Sequence, residues 1–333
     1  MFSKSMFSKL MFSKAIFNKS IVAFILSIVL TQVSTAKTQV NTESDHVNAN
    51  SIAQQCYSAK WNKQKLLGLA EQNFIIENEL ERAELAMQLL HCLAIPQPEI
   101  RDGVAFAGLS KWLRGDKLSR DVHQLMFTTL IENFGAETND ENDVYQPFVA
   151  LVLVELARVD RKSPYLNLEQ RDLLVSKSTA FMSNTNDYRG FDEVIGWRHN
   201  VAHTADIFLQ LALNPAINKA QLTQMLNAIG EQVLAKNTHF YIYGEPERLS
   251  TALLYILLKN QHSEQDWQRW LQRYITPSPL KSWQQVYTSQ QGLAQLHNAR
   301  AFLGAVFASI ADSNNEKLKM LKPALVNAFD NLP

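Results

Sequence analysis

The sequence predicts an all-α protein: a helical array or α-solenoid of stacked antiparallel helix pairs, HEAT-like in style. Three observations carry that expectation. Apolar residues recur at spacings of three and four from Cys56 almost to the end of the chain. Only 11 of the 333 residues are glycine, few for a chain that would have to turn between many strands. The breaks between periodic segments are short and polar, as in chains that bury their core between successive helix pairs. The sequence shows no strict period of about 40 residues.

Two segments of different character precede the periodic region. Met1–Ser20 is a pentamer repeat, MFSKS, MFSKL, MFSKA, IFNKS, with Lys4, Lys9, Lys14 and Lys19 and no acid. Ile21–Leu30 is apolar apart from Ser27, and Ser34-Thr35-Ala36 places small residues at −3 and −1 of a cleavage point. That order of charge, apolar run and small residues predicts a signal peptide over 1–36 and export, to a periplasm. The apolar run is shorter than the roughly 20 residues that span a bilayer, and no transmembrane segment is expected after the leader. Lys37–Ser51 is polar and predicts a disordered lead-in. A single helical domain is expected over 52–333.

The chain balances 32 basic against 32 acidic residues. Losing the leader removes four lysines and no acid, so the remainder is acidic and holds no basic run. Nucleic-acid binding would need a positive footprint, and none is expected. Cys56 and Cys92 are the two cysteines. In an oxidising compartment they either bridge or stay as buried thiols. No C-x-x-C pattern supports a zinc ribbon or a redox motif.

The helices follow in order. Trp61–Glu71 and Glu79–Leu93 form a first pair, the second with an apolar face of Leu80, Ala83, Ala86, Met87, Leu90 and Cys92. Pro96 ends it, and Pro98 opens the next helix at a first turn, where its missing N–H does no harm. Leu118–Asn133 follows. Val144–Arg158 is nearly all apolar, and its length favours a buried helix over a strand. Asn167–Phe181, Lys219–Ala235, Pro246–Lys259, Glu264–Tyr274, Leu280–Tyr287, Gly292–Ile310 and Lys317–Phe329 complete the set. Thr238–Tyr243 is expected to be extended.

Asp187–Asp206 interrupts this plain pattern with charge, glycine, tryptophan and two histidines. A helix starting near Gly196 puts His199, His203 and Asp206 on one stripe with Gln210. Trp197, Val201, Ala205, Phe208 and Ala212 then face the opposite, packed side. Two histidines at i and i+4 with a carboxylate suit a divalent metal, which would activate a water. H-N-V-A-H lacks the glutamate of H-E-x-x-H, and a fourth ligand would have to come from His239, Glu245 or Glu247. The other expectation is a polar network, with His203 bonded to a neighbouring helix and Asp206 paired with Arg248.

Three stretches resemble the bacterial domain-of-unknown-function 2785 family. They are P-E-I-R-D at Pro98–Asp102; Asp187 and Arg189-Gly190 followed by G-W-R-H-N-V-A-H-T-A-D at Gly196–Asp206; and Y-G-E-P-E-R-L at Tyr243–Leu249. The likeness covers roughly Trp61 to Ile310. It implies an all-helical fold and assigns no activity.

Arg189, Trp197, His199, His203, Asp206, Tyr243, Glu245 and Arg248 are the candidate binding residues, for a small polar ligand or a protein partner. Trp267, Trp270 and Tyr274 at helical spacing suit a core better than a sugar platform. Phosphate-loop, dinucleotide and nucleophile-elbow motifs are absent. The expected role is an exported binding or scaffold module with a polar groove centred on His199, His203 and Asp206. The alternatives are a metal-dependent hydrolase using the same residues and a structural envelope protein with no active site.

Overall fold

Asparagine and serine set most of the helix starts. The computed structural model describes residues 47–274 and 280–333; the expected leader and the lead-in as far as His46 lie outside the described residues. Side chains of Asn48, Asn62 and Asn78 accept backbone N–H groups at the starts of α1 (Ala49–Gln54), α2 (Lys63–Glu71) and α3 (Glu79–Cys92). Pro98 opens α4 (Pro98–Ile100), which widens into a π turn (Arg101–Phe106) and continues as α5 (Ala107–Arg114). Ser119 caps α6 (Arg120–Asn133), α7 spans Tyr145–Lys162, and Asn167 closes a capping box on α8 (Leu168–Asn184). After α9 (Asn200–Leu213), Asn218 repeats that box on α10 (Lys219–Val233). Next come α11 (Glu245–Leu258), α12 (Glu264–Leu271), α13 (Gln290–Ile310), α14 (Glu316–Lys319) and α15 (Lys322–Asp330). Each side-chain cap contributes about 1 kcal/mol by satisfying an orphan N–H.

The fold is all-α, as expected. The helices pack in two rows. In one, α5, α7, α9, α11 and α13 touch in succession; in the other, α6, α8 and α10 do. Contacts of α6 with α7, α8 with α9 and α10 with α11 join the rows. Helix α7 lies at the centre, buried on nearly every side, so its apolar run reads correctly as a helix rather than a strand. No helix among the described residues is long and apolar enough to cross a membrane.

Three expectations need correction. Order begins before Ser51: α1 starts at Ala49, and Val47 N–H donates to Glu137 O (2.9 Å) while Asn139 N–H donates to Val47 O (3.2 Å). The buried apolar stripe of α3 is Leu85, Ala86, Leu89, Leu90 and Cys92, so Ala86, Leu90 and Cys92 face inward as expected; Leu80 is 70% exposed, because the stripe is rotated towards the disulfide and the π turn. Thr238–Tyr243, expected to be extended, lies outside the helices and joins no sheet. Asn298 of α13 stands in for a strand partner, donating from Nδ2 to His239 O (2.9 Å) and accepting Tyr241 N–H (2.8 Å). The third correction, a hairpin within Asp187–Asp206, belongs to the site. Trp267, Trp270 and Tyr274 are buried, as core residues are.

Cys56 and Cys92 are bonded (S–S 2.08 Å) and fully buried, joining the turn after α1 to the end of α3 across 36 residues. A bridge closing a loop of that size stabilises by about 3–4 kcal/mol, chiefly through the unfolded chain. Replacing both cysteines with alanine should lower the urea midpoint accordingly; an unchanged midpoint would show that the bridge contributes nothing.

Candidate functional site

The segment D-E-V-I-G at Asp192–Gly196 folds as a turn before any helix can start. Asp192 Oδ1 accepts the N–H groups of Val194 and Ile195, both at 2.8 Å. Gly196 takes φ +75°, the left-handed position that closes a three-residue hairpin loop. Strands β1 (Phe191–Asp192) and β2 (Gly196–Trp197) pair antiparallel, Phe191 opposite Trp197. The ladder runs on, with Arg198 N–H donating to Gly190 O (3.0 Å) and His199 N–H to Arg189 O (3.3 Å). Helix α9 therefore starts at Asn200, not near Gly196. His199 precedes it in the left-handed region at φ 70°, ψ 43°, which costs a non-glycine residue about 1–2 kcal/mol.

This moves Trp197. It does not face a packed side opposite the histidines. Its indole is 39% exposed and lies 4.6 Å from the His199 ring, centroid to centroid, with Phe191 at 5.3 Å and Tyr243 edge-on at 5.9 Å. Gly190 makes room for Tyr243, since a Cβ there would fall 2.2 Å from the ring.

Arg101 holds the hairpin down. Its guanidinium is fully buried and donates from Nη2 to Ile195 O (2.7 Å) and from Nη1 to Pro96 O (3.0 Å). Nε lies 2.8 Å from Asp102 Oδ1, and the Phe148 ring sits 4.4 Å beneath. Gly196 fits against Pro98 and this guanidinium. Sequence reasoning missed Arg101 as a site residue. The signal was a cation in apolar step with Ile100, Val104 and Ala105.

Beneath the hairpin, His203 Nδ1 donates to Pro147 O of α7 at 2.9 Å. Burial first, then neighbouring His199, pulls its pKa down to about 3. The His199 and His203 rings meet at a right angle, 5.7 Å apart. Burial, with Arg248 next, lowers His199 to about 4, so both imidazoles are neutral at physiological pH. His199 Nε2 is buried without a hydrogen-bond partner, 3.9 Å from Glu245 Oε1. Glu245 is buried at the start of α11, which raises its pKa; Oε2 accepts the Tyr243 N–H at 3.0 Å.

The remaining candidates have partners. Asp206 is ion-paired with Arg248. Arg189 is exposed and grips Asp187 through two bonds of 2.8 Å, with Asp143 on its other side. Among the described residues, no group of three or more His, Cys, Asp or Glu side chains is arranged to hold a metal. His203 bonds a carbonyl of α7 through Nδ1, and Asp206 is held by the Arg248 guanidinium. The polar-network expectation describes both residues. A cavity of about 710 Å³ opens beside the hairpin root, lined by Asp143, Pro147, Asp187 and Asn200, rather than over His199.

A family model described as "Protein of unknown function (DUF2785)" matches residues 130–308, more than half of the chain. The chain belongs to the DUF2785 family. The match includes the hairpin, α9 and the start of α11. It leaves out Pro98–Asp102, so the likeness begins later than Trp61. No curated protein and no solved structure matches. In this DUF2785 chain the matched region thus relies on an arginine from outside it.

Two outcomes follow from the geometry. Arg101→Met should strand the carbonyls of Pro96 and Ile195, each costing about 1–3 kcal/mol, and should speed amide exchange across Phe191–Trp197. Unchanged exchange there would remove the clamp. A histidine whose folded pKa is lowered contributes stability that is present above its unfolded value of 6.5 and lost as pH falls towards the folded one. Asp206 and Glu245, with raised pKa values, act in the opposite sense. His203→Phe should therefore flatten the wild-type dependence by about 1.4 kcal/mol per pH unit on the acid side of 6, read from urea titrations. An equal slope in both proteins would contradict a neutral, buried His203.

Proposed function

We propose that this DUF2785 protein is an exported binding module whose recognition site is the aromatic lip of Phe191, Trp197 and Tyr243 above His199 and Glu245. Export rests on the leader order of residues 1–36 and fits a buried Cys56–Cys92 bridge, since such bridges persist in oxidising compartments. One observation carries the site: a buried, unpaired His199 Nε2 facing a buried carboxyl directly under a half-exposed indole. An unsatisfied buried nitrogen costs about 1–3 kcal/mol, which a ligand donor would recover. Exposed Val194 and Ile242 extend the apolar surface beside it.

The chemistry selects the occupant. The carboxyl accepts hydrogen bonds, the unpaired His199 Nε2 is open to one more, and the indole offers a face. A small molecule or peptide end with a flat apolar body and an N–H or O–H donor meets both demands. The hydrolase alternative would need Asp206 released from its Arg248 ion pair.

Tyramine is a suitable probe, with a ring and an ammonium group. Titrated into labelled protein, it should shift the indole N–H resonance of Trp197, identified by its loss in Trp197→Phe. Affinity should fall roughly tenfold or more in Glu245→Gln, about the 1.4 kcal/mol of one charge-assisted hydrogen bond. A Trp197 signal that does not move, or moves equally in Glu245→Gln, would sink the site.

A further inference from the structure

A second cavity lies about α10 and α12, away from the hairpin, with a volume of about 360 Å³. That is within the size range of small-molecule sites. Trp267 and Trp270 form an apolar wall, held rigid because Trp270 Nε1 donates to Leu226 O at 2.9 Å.

The rim is cationic. Lys219, Arg269 and Arg273 line the cavity against a single carboxylate, Asp266. Asp266 is already saturated: it accepts Lys219 Nζ (3.1 Å), Arg269 Nη2 (2.5 Å) and the backbone N–H of Ser263 (3.0 Å). Arg273 is left over. Its Nε donates to Trp270 O (3.1 Å) and its guanidinium stacks 4.9 Å from the Trp270 ring, but among the described residues no carboxylate pairs with it. Gly230 lies within α10, where glycine is a poor helix former. Arg273 supplies a reason for it, since a Cβ at 230 would fall 1.5 Å from Nη1.

The second feature is His262, which lines the same cavity and is 8% exposed. Thr223 Oγ1 donates its proton to Lys219 O (2.8 Å), so its contact with His262 Nε2 (2.9 Å) must be accepted from an Nε2–H. In the neutral ring Nδ1 then carries the lone pair, and it is buried without a partner. The cavity thus presents positive charge together with an unfilled acceptor.

We propose that this cavity is a second ligand site, built for a small oxyanion that carries its own hydrogen-bond donor, such as hydrogen phosphate or a 2-hydroxycarboxylate. The oxyanion meets Arg273 and the Lys219–Arg269 rim, and its hydroxyl donates to His262 Nδ1. A bare oxyanion satisfies the first demand and leaves the second unmet.

Paired anions test this in the intact chain by calorimetry at pH 7 and constant ionic strength. Phosphate keeps a P–OH near neutrality and sulfate does not; lactate has a hydroxyl and propionate does not. At least one donor-bearing anion should bind with Kd of about 10 mM or tighter, and roughly tenfold more tightly than its donor-free partner. The pair that shows the difference identifies the source. Arg273→Gln should weaken that binding roughly tenfold, and Gly230→Ala should do the same while leaving α10 at least as stable. His262→Phe should abolish the discrimination. Equal binding of donor-bearing and donor-free anions, no saturable binding of any, or full binding by Arg273→Gln would each overturn the proposal.

Discussion

A guanidinium without water must find its hydrogen bonds in the protein, and Arg101 finds them by reaching across the chain. Its donors hold the carbonyls of Pro96 before α4 and Ile195 in the hairpin, with Asp102 and the Phe148 ring completing the shell. A buried charge kept this way is costly to disturb, because removing either side strands the other. The clamp fixes a two-residue-per-strand hairpin that would be marginal alone. The positions of Trp197 and His199 follow from it.

Below the hairpin, polar contacts tie three neighbouring helices of one row. His203 of α9 bonds Pro147 O of α7, and Asp206 of α9 pairs with Arg248 of α11. Apolar surface alone would let such helices slide or rotate with modest penalty. A ring nitrogen aimed at one carbonyl and a carboxylate aimed at one guanidinium set rotation and depth of α9 at two points four-fifths of a turn apart. Glu245, at the first turn of α11, reaches the hairpin side of the same junction.

Most of the architecture was legible because it is written in local terms. Asparagine and serine caps, proline at first turns and threefold–fourfold apolar spacing are each properties of a few neighbouring residues. The hairpin was not read because H-N-V-A-H-T-A-D is so regularly helical that its pattern extends backwards over Gly196-Trp197. Asp192 and Gly196, four apart, carried the competing turn signal. The pairing of His203 and Asp206 with neighbouring helices was foreseen as one alternative. The Glu245–His199 approach was not, since it depends on how α11 docks against the hairpin. Arg101 is the same kind of case: its hairpin partner Ile195 is 94 residues away in sequence.

Residue 199 itself argues for function over stability. An asparagine there would tolerate the left-handed backbone at lower cost. The histidine bears the backbone strain and leaves Nε2 unpaired in a buried place. Each is a loss on the order of 1 kcal/mol, and both fall on one residue. No packing gain visible around it requires an imidazole: Trp197 and Tyr243 would stack on any flat ring. What the imidazole supplies is an unpaired ring nitrogen beside the Glu245 carboxyl. Local rules broken together at one position are expected of functional sites, and they support the proposed site under Trp197.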